Sequence, residues 1–237
     1  MLCKNPCLWF AAGLLALATL LGLLFGSGGG AGSSSTPDGN YSTILENDLP
    51  AGAKKPFITY QDNSGDQSAL KTALGALVPN AAGAIQNGQA VQVYSTTDGY
   101  TGAASSLTNA LNLANPTLQG GNAQGGAMYG LVNNPNTDAG QTVKYAVLFA
   151  APSSLDLGDA MQQVADRVDL ILEDLPESNA PATPAYDYRY TVSTSVAGAS
   201  APATSGTPVQ ANFILVTFTR TPTAAGSSSG SSSSSST

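Results

Sequence analysis

The stretch VKYAVLFA (143–150) carries apolar side chains on both of its faces. In an extended chain Val143, Tyr145, Val147 and Phe149 fall on one side, and Leu148, flanked by alanines, falls on the other. A strand covered on both sides lies inside a sheet. Pro152 and Ser153 then open a helix, with Ser153 and Asp156 spaced as a capping box. Met161, Val164, Val168, Ile171, Leu172 and Leu175 form one stripe of helical period, and Asp159, Asp166, Asp169 and Glu173 lie off it. ESNAPATPA (177–185) ends the helix.

Downstream, YDYRYTVSTSV (186–196) alternates, with Tyr186, Tyr188, Tyr190 and Val192 on one face. The opposite face, Asp187, Arg189, Thr191 and Ser193, is polar, so the tyrosines are expected to face the core. VQANFILVTFTR (209–220) follows a polar loop and is long enough to be the hairpin partner. Upstream, PFITY (56–60) reads as a strand, and Ala69, Leu70, Ala73, Leu74 and Leu77 recur at helical spacing. AVQVYS (90–95) is a second strand after the Asn87-Gly88 turn signal. Leu107, Ala110, Leu111 and Ala114 mark a short helix. Residues 115–141 are too long and glycine-rich for a compact connection, and such segments are either mobile or functional. The order is β-α-β-α-β-α-β-β, which predicts an α+β fold with helices packed on a mixed sheet.

Composition narrows the function. Charged residues are 10% of the chain, so Ser, Thr, Asn, Gln, Gly and Ala carry the surface. All fifteen acids and seven of the eight bases follow residue 36, which leaves that part with a charge of 7 − 15 = −8. No basic stripe exists to neutralise phosphates, which excludes nucleic acid as a partner. The chain has no histidine, the commonest general base and metal ligand. Its two cysteines, Cys3 and Cys7, precede the apolar run, so no disulfide staples the folded part.

LWFAAGLLALATLLGLLF (8–25) is eighteen residues without a charge or a proline. As a helix it spans about 27 Å, close to the hydrocarbon thickness of a bilayer. Lys4 precedes it and the next charged side chain is Asp38, so the positive-inside rule leaves residues 1–7 in the cytoplasm. The alternative, a cleaved signal peptide ending at the small residues Gly29 and Ala31, gives a secreted domain. Either way residues 26–40 are a Gly/Ser tether, 41–220 an extracytoplasmic globular domain, and 221–237 a disordered Ser-rich tail. A single-pass cell-membrane protein with its globular part outside is the expected placement.

YQDNSGDQSALK (60–71) holds three overlapping chemistries. Asp62, Ser64 and Asp66 alternate like the oxygen ligands of a hard cation, Mg²⁺ or Ca²⁺. Ser68 and Lys71 have the S-x-x-K spacing of a serine nucleophile with a lysine base, without the S-D-N and K-T-G companions. Asp66 or Ser64 also stands where an ordinary helix cap would stand, and this is the reading we favour from sequence. The D-x-S-x-D run, with SSLTNAL (105–111), resembles the metal-ion-dependent adhesion site of von Willebrand factor A domains. That resemblance implies Asp62 and Ser64 as Mg²⁺ ligands, Asp66 in place of the family's second serine and Ser105 in place of its threonine. The chain departs from the pattern at Ala150-Ala151-Pro152, where the family carries an Asp.

The function expected from these residues is a membrane-anchored, non-catalytic structural or interaction domain with other membrane or surface proteins as partners. A metal-dependent adhesion domain and a Ser/Lys hydrolase are the alternatives.

Overall fold

The computed structural model describes residues 39–121, 126 and 128–226. The 8–25 span, nearly all of the tether and the tail from 227 lie outside the described residues. Among those described, no helix is long and apolar enough to cross a membrane. Among the described residues there are five strands: β1 (Ile58–Tyr60), β2 (Val91–Val93), β3 (Val143–Pro152), β4 (Tyr186–Ala201) and β5 (Val209–Ala224). Around them lie helices α1 (Tyr41–Asp48) before β1, α2 (Ser64–Leu74) between β1 and β2, α3 (Thr101–Leu111) and α4 (Tyr129–Val132) between β2 and β3, and α5 (Leu157–Glu173) between β3 and β4. The fold is α+β, and its sheet runs β1-β4-β5-β3-β2. Among these five strands β1 and β4 pair in parallel, and the other three pairs are antiparallel.

β3 is an interior strand, with β5 along its whole length on one side and β2 against Leu148–Ala150 on the other. Tyr145, Val147, Phe149 and Ala151 join the core layer of α1, α4 and α5. Ala146, Leu148 and Ala150 join the second layer, under α2 and α3. In that first layer Tyr188 and Tyr190 are fully buried, as the polar opposite face of their strand requires. The long hairpin keeps one register from Tyr186↔Ala224 to Ala201↔Val209, longer at both ends than its apolar pattern indicates.

α5 buries the expected stripe, with Met161, Val164, Val168 and Leu172 at 0% exposure. Each such side chain contributes roughly 1.5–3 kcal/mol by leaving water, so the stripe outweighs any single cap. The cap is not the predicted box: Asp156 itself is the N-cap and accepts from Gly158 N–H at 2.8 Å. Lys55 donates Nζ to the carbonyls of Glu173 and Leu175, closing the far end of the helix where its carbonyls are unpaired.

Two elements depart from the sequence reading. α1 precedes the first strand, and its stretch YSTILEND has too few apolar positions to show a helical period. The described residues of 115–141 are tied into the fold rather than being slack, since Leu118, Met128 and Leu131 are fully buried. Arg220, also fully buried, donates to the carbonyls of Gly130, Thr137 and Asp138 at 3.2, 2.5 and 3.0 Å. Its guanidinium lies 4.6 Å from the Tyr188 ring centroid, and among the described residues Nε has no partner. Tyr188 in turn donates its hydroxyl to Pro135 O at 2.5 Å.

Candidate functional site

The stretch 60–71 leaves β1 and enters α2. The cap of α2 is Asn63, whose Oδ1 accepts from Gly65 and Asp66 N–H at 2.9 and 3.2 Å, so neither Asp66 nor Ser64 is the cap. Asn63 has the β-region backbone of an N-cap, which places the following residues in the first turn. From that first turn Asp66 points inward, and its side chain is 2% exposed. Its Oδ1 accepts from Lys144 Nζ at 2.7 Å and its Oδ2 from Thr217 Oγ1 at 2.6 Å. Both oxygens of a desolvated carboxylate are therefore engaged, as burial of the charge demands.

Asp62 serves another element. Its Oδ1 accepts from Ser42 N–H at 2.8 Å, in the first turn of α1, whose own N-cap Asn40 makes no side-chain cap bond. A carboxylate there satisfies an unpaired amide and complements the helix dipole. Ser64 and Ser105 are exposed, the latter in the middle of α3. The structure thus sends Asp62 to α1 and Asp66 to β3 and β5. An ammonium on one oxygen of Asp66 is a poor neighbour for a divalent cation, so these residues do not fit the Mg²⁺ arrangement that the resemblance implies. Among the described residues no group of three or more acidic, His or Cys side chains converges on one point.

Ser68 and Lys71 are both exposed. The Ser68 hydroxyl donates to Ser64 O, one turn back, at 2.8 Å. This is the ordinary helical back-bond of a serine.

What pattern reading misses is a set of side chains that stand in for strands. β1 covers β4 only from Tyr190 to Val192. Beyond it, Ser42 Oγ accepts from Thr194 N–H at 2.9 Å. Gln67 then takes both groups of Val196, accepting from its N–H at 3.1 Å and donating to its carbonyl at 2.8 Å. Asn115 does the same on the other side of the sheet, bonding Ala146 O at 2.7 Å and Ala146 N–H at 2.9 Å. A carboxamide has the donor and acceptor of a peptide group, so each acts as one residue of a missing strand. No local sequence signal announces this, because the partners lie 129 and 31 residues away.

Where the hairpin turns, an open cleft of about 850 Å³ lies between Asn80–Ala84, Thr96–Asp98 and the 203–209 loop. Its walls carry hydroxyl and amide groups, and Asp98 is the one charged side chain among its described lining residues. Gly99 stands at φ +84 with Ala81 backbone passing where a Cβ would be, so only glycine permits this approach. Tyr100 beneath donates to Ala81 O at 3.2 Å, and burial pushes its hydroxyl well above the usual phenol range. Comparison with known proteins returns no match: no protein-family model, no curated protein and no solved structure is significantly similar to the chain.

Proposed function

We propose that this chain is a membrane-anchored, extracytoplasmic, non-catalytic domain that works through contacts with other membrane or surface proteins. The observation that carries the reading is the use of the polar groups in 60–71. Asp62 and Asp66 tie separate elements together, on Ser42 and on Lys144 and Thr217, and the exposed Ser68 makes a local back-bond to Ser64 within its helix. The surface that remains is polar and weakly charged, with an open cleft at the hairpin end. The uncharged run 8–25, with Lys4 before it and no acid or base until Asp38, supports the anchor and its orientation.

The test is cross-linking of the full chain in its native membrane, followed by identification of the captured proteins. Asp62→Ala and Ser68→Ala should capture the same partner as wild type. Loss of that partner with Ser68→Ala, or labelling of Ser68 by a serine-directed activity probe, would overturn the reading. A tag at the C-terminus should be cut by protease added to intact cells, and protection of the tag would overturn the placement.

A further inference from the structure

We infer that the outer edge of β4 at Gly198–Ser200 is a docking edge for an extended segment of a partner polypeptide, which adds there as a short strand. The inference rests on the interaction reading above and names its surface. Along β4 the even-numbered residues turn their backbone groups away from β5. Tyr188 and Tyr190 N–H reach Glu177 and Phe57 carbonyls, Val192 O accepts from Gln61, and Thr194 and Val196 meet Ser42 and Gln67. The register with β5 runs without a bulge to Ala201↔Val209, so Gly198 and Ser200 present their N–H and C=O outward as well. Farther on, Pro202 O again has a partner, Ala82 N–H at 3.0 Å.

Within a row whose other outward N–H groups have partners, then, those of Gly198 and Ser200 have none on that side among the described residues. Both residues are exposed. The side chains there are Gly198, Ala199 and Ser200, small enough for a second backbone to approach closely. An unpaired edge recognises backbone rather than side chains, which fixes the ligand class as an extended chain with its N–H groups intact. Two residues further the β4–β5 connection becomes a wall of the cleft, which gives the incoming chain polar groups beyond the edge itself. Asp98 in that cleft and the net charge of −8 after residue 36 favour a neutral or basic segment.

The probe is a fluorescent peptide of sequence KTVTVTK titrated into the full chain in detergent micelles, with KTPTPTK as control. Saturable anisotropy is expected for the first peptide and none for the second, whose prolines lack the N–H groups. Hydrogen exchange of the fragment holding Gly198–Ser200 should slow when the first peptide binds. Ser200→Pro and Gly198→Pro remove an outward N–H that the β5 ladder does not use, so folding should persist while binding weakens about tenfold for one lost hydrogen bond. Equal affinity in both proline variants, protection of another fragment, or no binding at millimolar peptide overturns the inference. Self-association of wild type that Ser200→Pro abolishes also overturns it, because a second copy is then the occupant. Should a variant melt early, slowed exchange in the wild-type fragment alone decides. If the proline variants still capture the native membrane partner in full, the edge fails and the interaction reading stands; if wild type captures none, that reading fails whatever the peptide does.

Discussion

Asp66→Ala removes the buried carboxylate that ties α2 to β3 and β5. Two bonds go with it, from Lys144 Nζ at 2.7 Å and from Thr217 Oγ1 at 2.6 Å. A hydrogen bond to a charged group contributes roughly 1.5–3 kcal/mol. Lys144 is 21% exposed in its side chain and can turn to water, which puts its loss at the low end of that range. Thr217 is 1% exposed and cannot, so its orphaned hydroxyl adds roughly 1–3 kcal/mol. The sum is about 3 kcal/mol, or about 6–12 °C of melting temperature for a domain of this size. Asp66→Asn keeps an acceptor for Thr217 but not the charge, and should cost about half as much. Urea unfolding followed by far-UV circular dichroism is the suitable assay, because the single tryptophan, Trp9, lies outside the described domain. The order of stability should be wild type, Asn, Ala, with the dependence on urea unchanged. Millimolar Mg²⁺ should leave all three unshifted. A wild-type protein that Mg²⁺ stabilises and whose response Asp66→Ala abolishes would refute the reasoning, as would an Ala variant losing less than about 1 kcal/mol.

Gln67→Leu leaves Val196 N–H and C=O without their side-chain partner and should cost about 1–2 kcal/mol. Sedimentation should also show more self-association, because a longer unpaired run of β4 becomes available. Arg220→Met takes the donor from the carbonyls of Gly130, Thr137 and Asp138 but also removes a desolvated cation. The net loss should be about 3 kcal/mol, with exchange of 129–141 rising before global unfolding; unchanged exchange would count against the clamp. Asp48 ends α1, and burial first, then Asp166, against the smaller pull of Lys54, raises its carboxyl above the ordinary value. A raised folded value means that its contribution to stability is present at low pH and is lost as pH rises through that value. Asp48→Asn should therefore raise stability slightly near pH 7, by about a few tenths of a kcal/mol at most because solvent screens this partly exposed carboxyl, and the gap should close near pH 3. Scanning calorimetry at the two pH values checks it.

The sequence by itself determined the long elements. β4 begins with a clean alternation, β3 is apolar on both faces, β5 is a long run after a polar loop, and α5 has a stripe over four turns, so local pattern identifies them. The mixed α+β sheet with a terminal hairpin follows from their order. α1 escaped because YSTILEND has only Tyr41, Ile44 and Leu45 as apolar marks, and its start is completed by Asp62, twenty residues on. In 60–71 the local spacing was compatible with a cap, a metal site and a dyad at once. Only the tertiary structure chose, by bringing Lys144 and Thr217 from 78 and 151 residues away onto Asp66. Gln67 on Val196 and Asn115 on Ala146 are of the same kind. Periodicity records which side of an element meets water, whereas the partner of a polar atom depends on where distant parts of the chain arrive, and no short window of residues contains that.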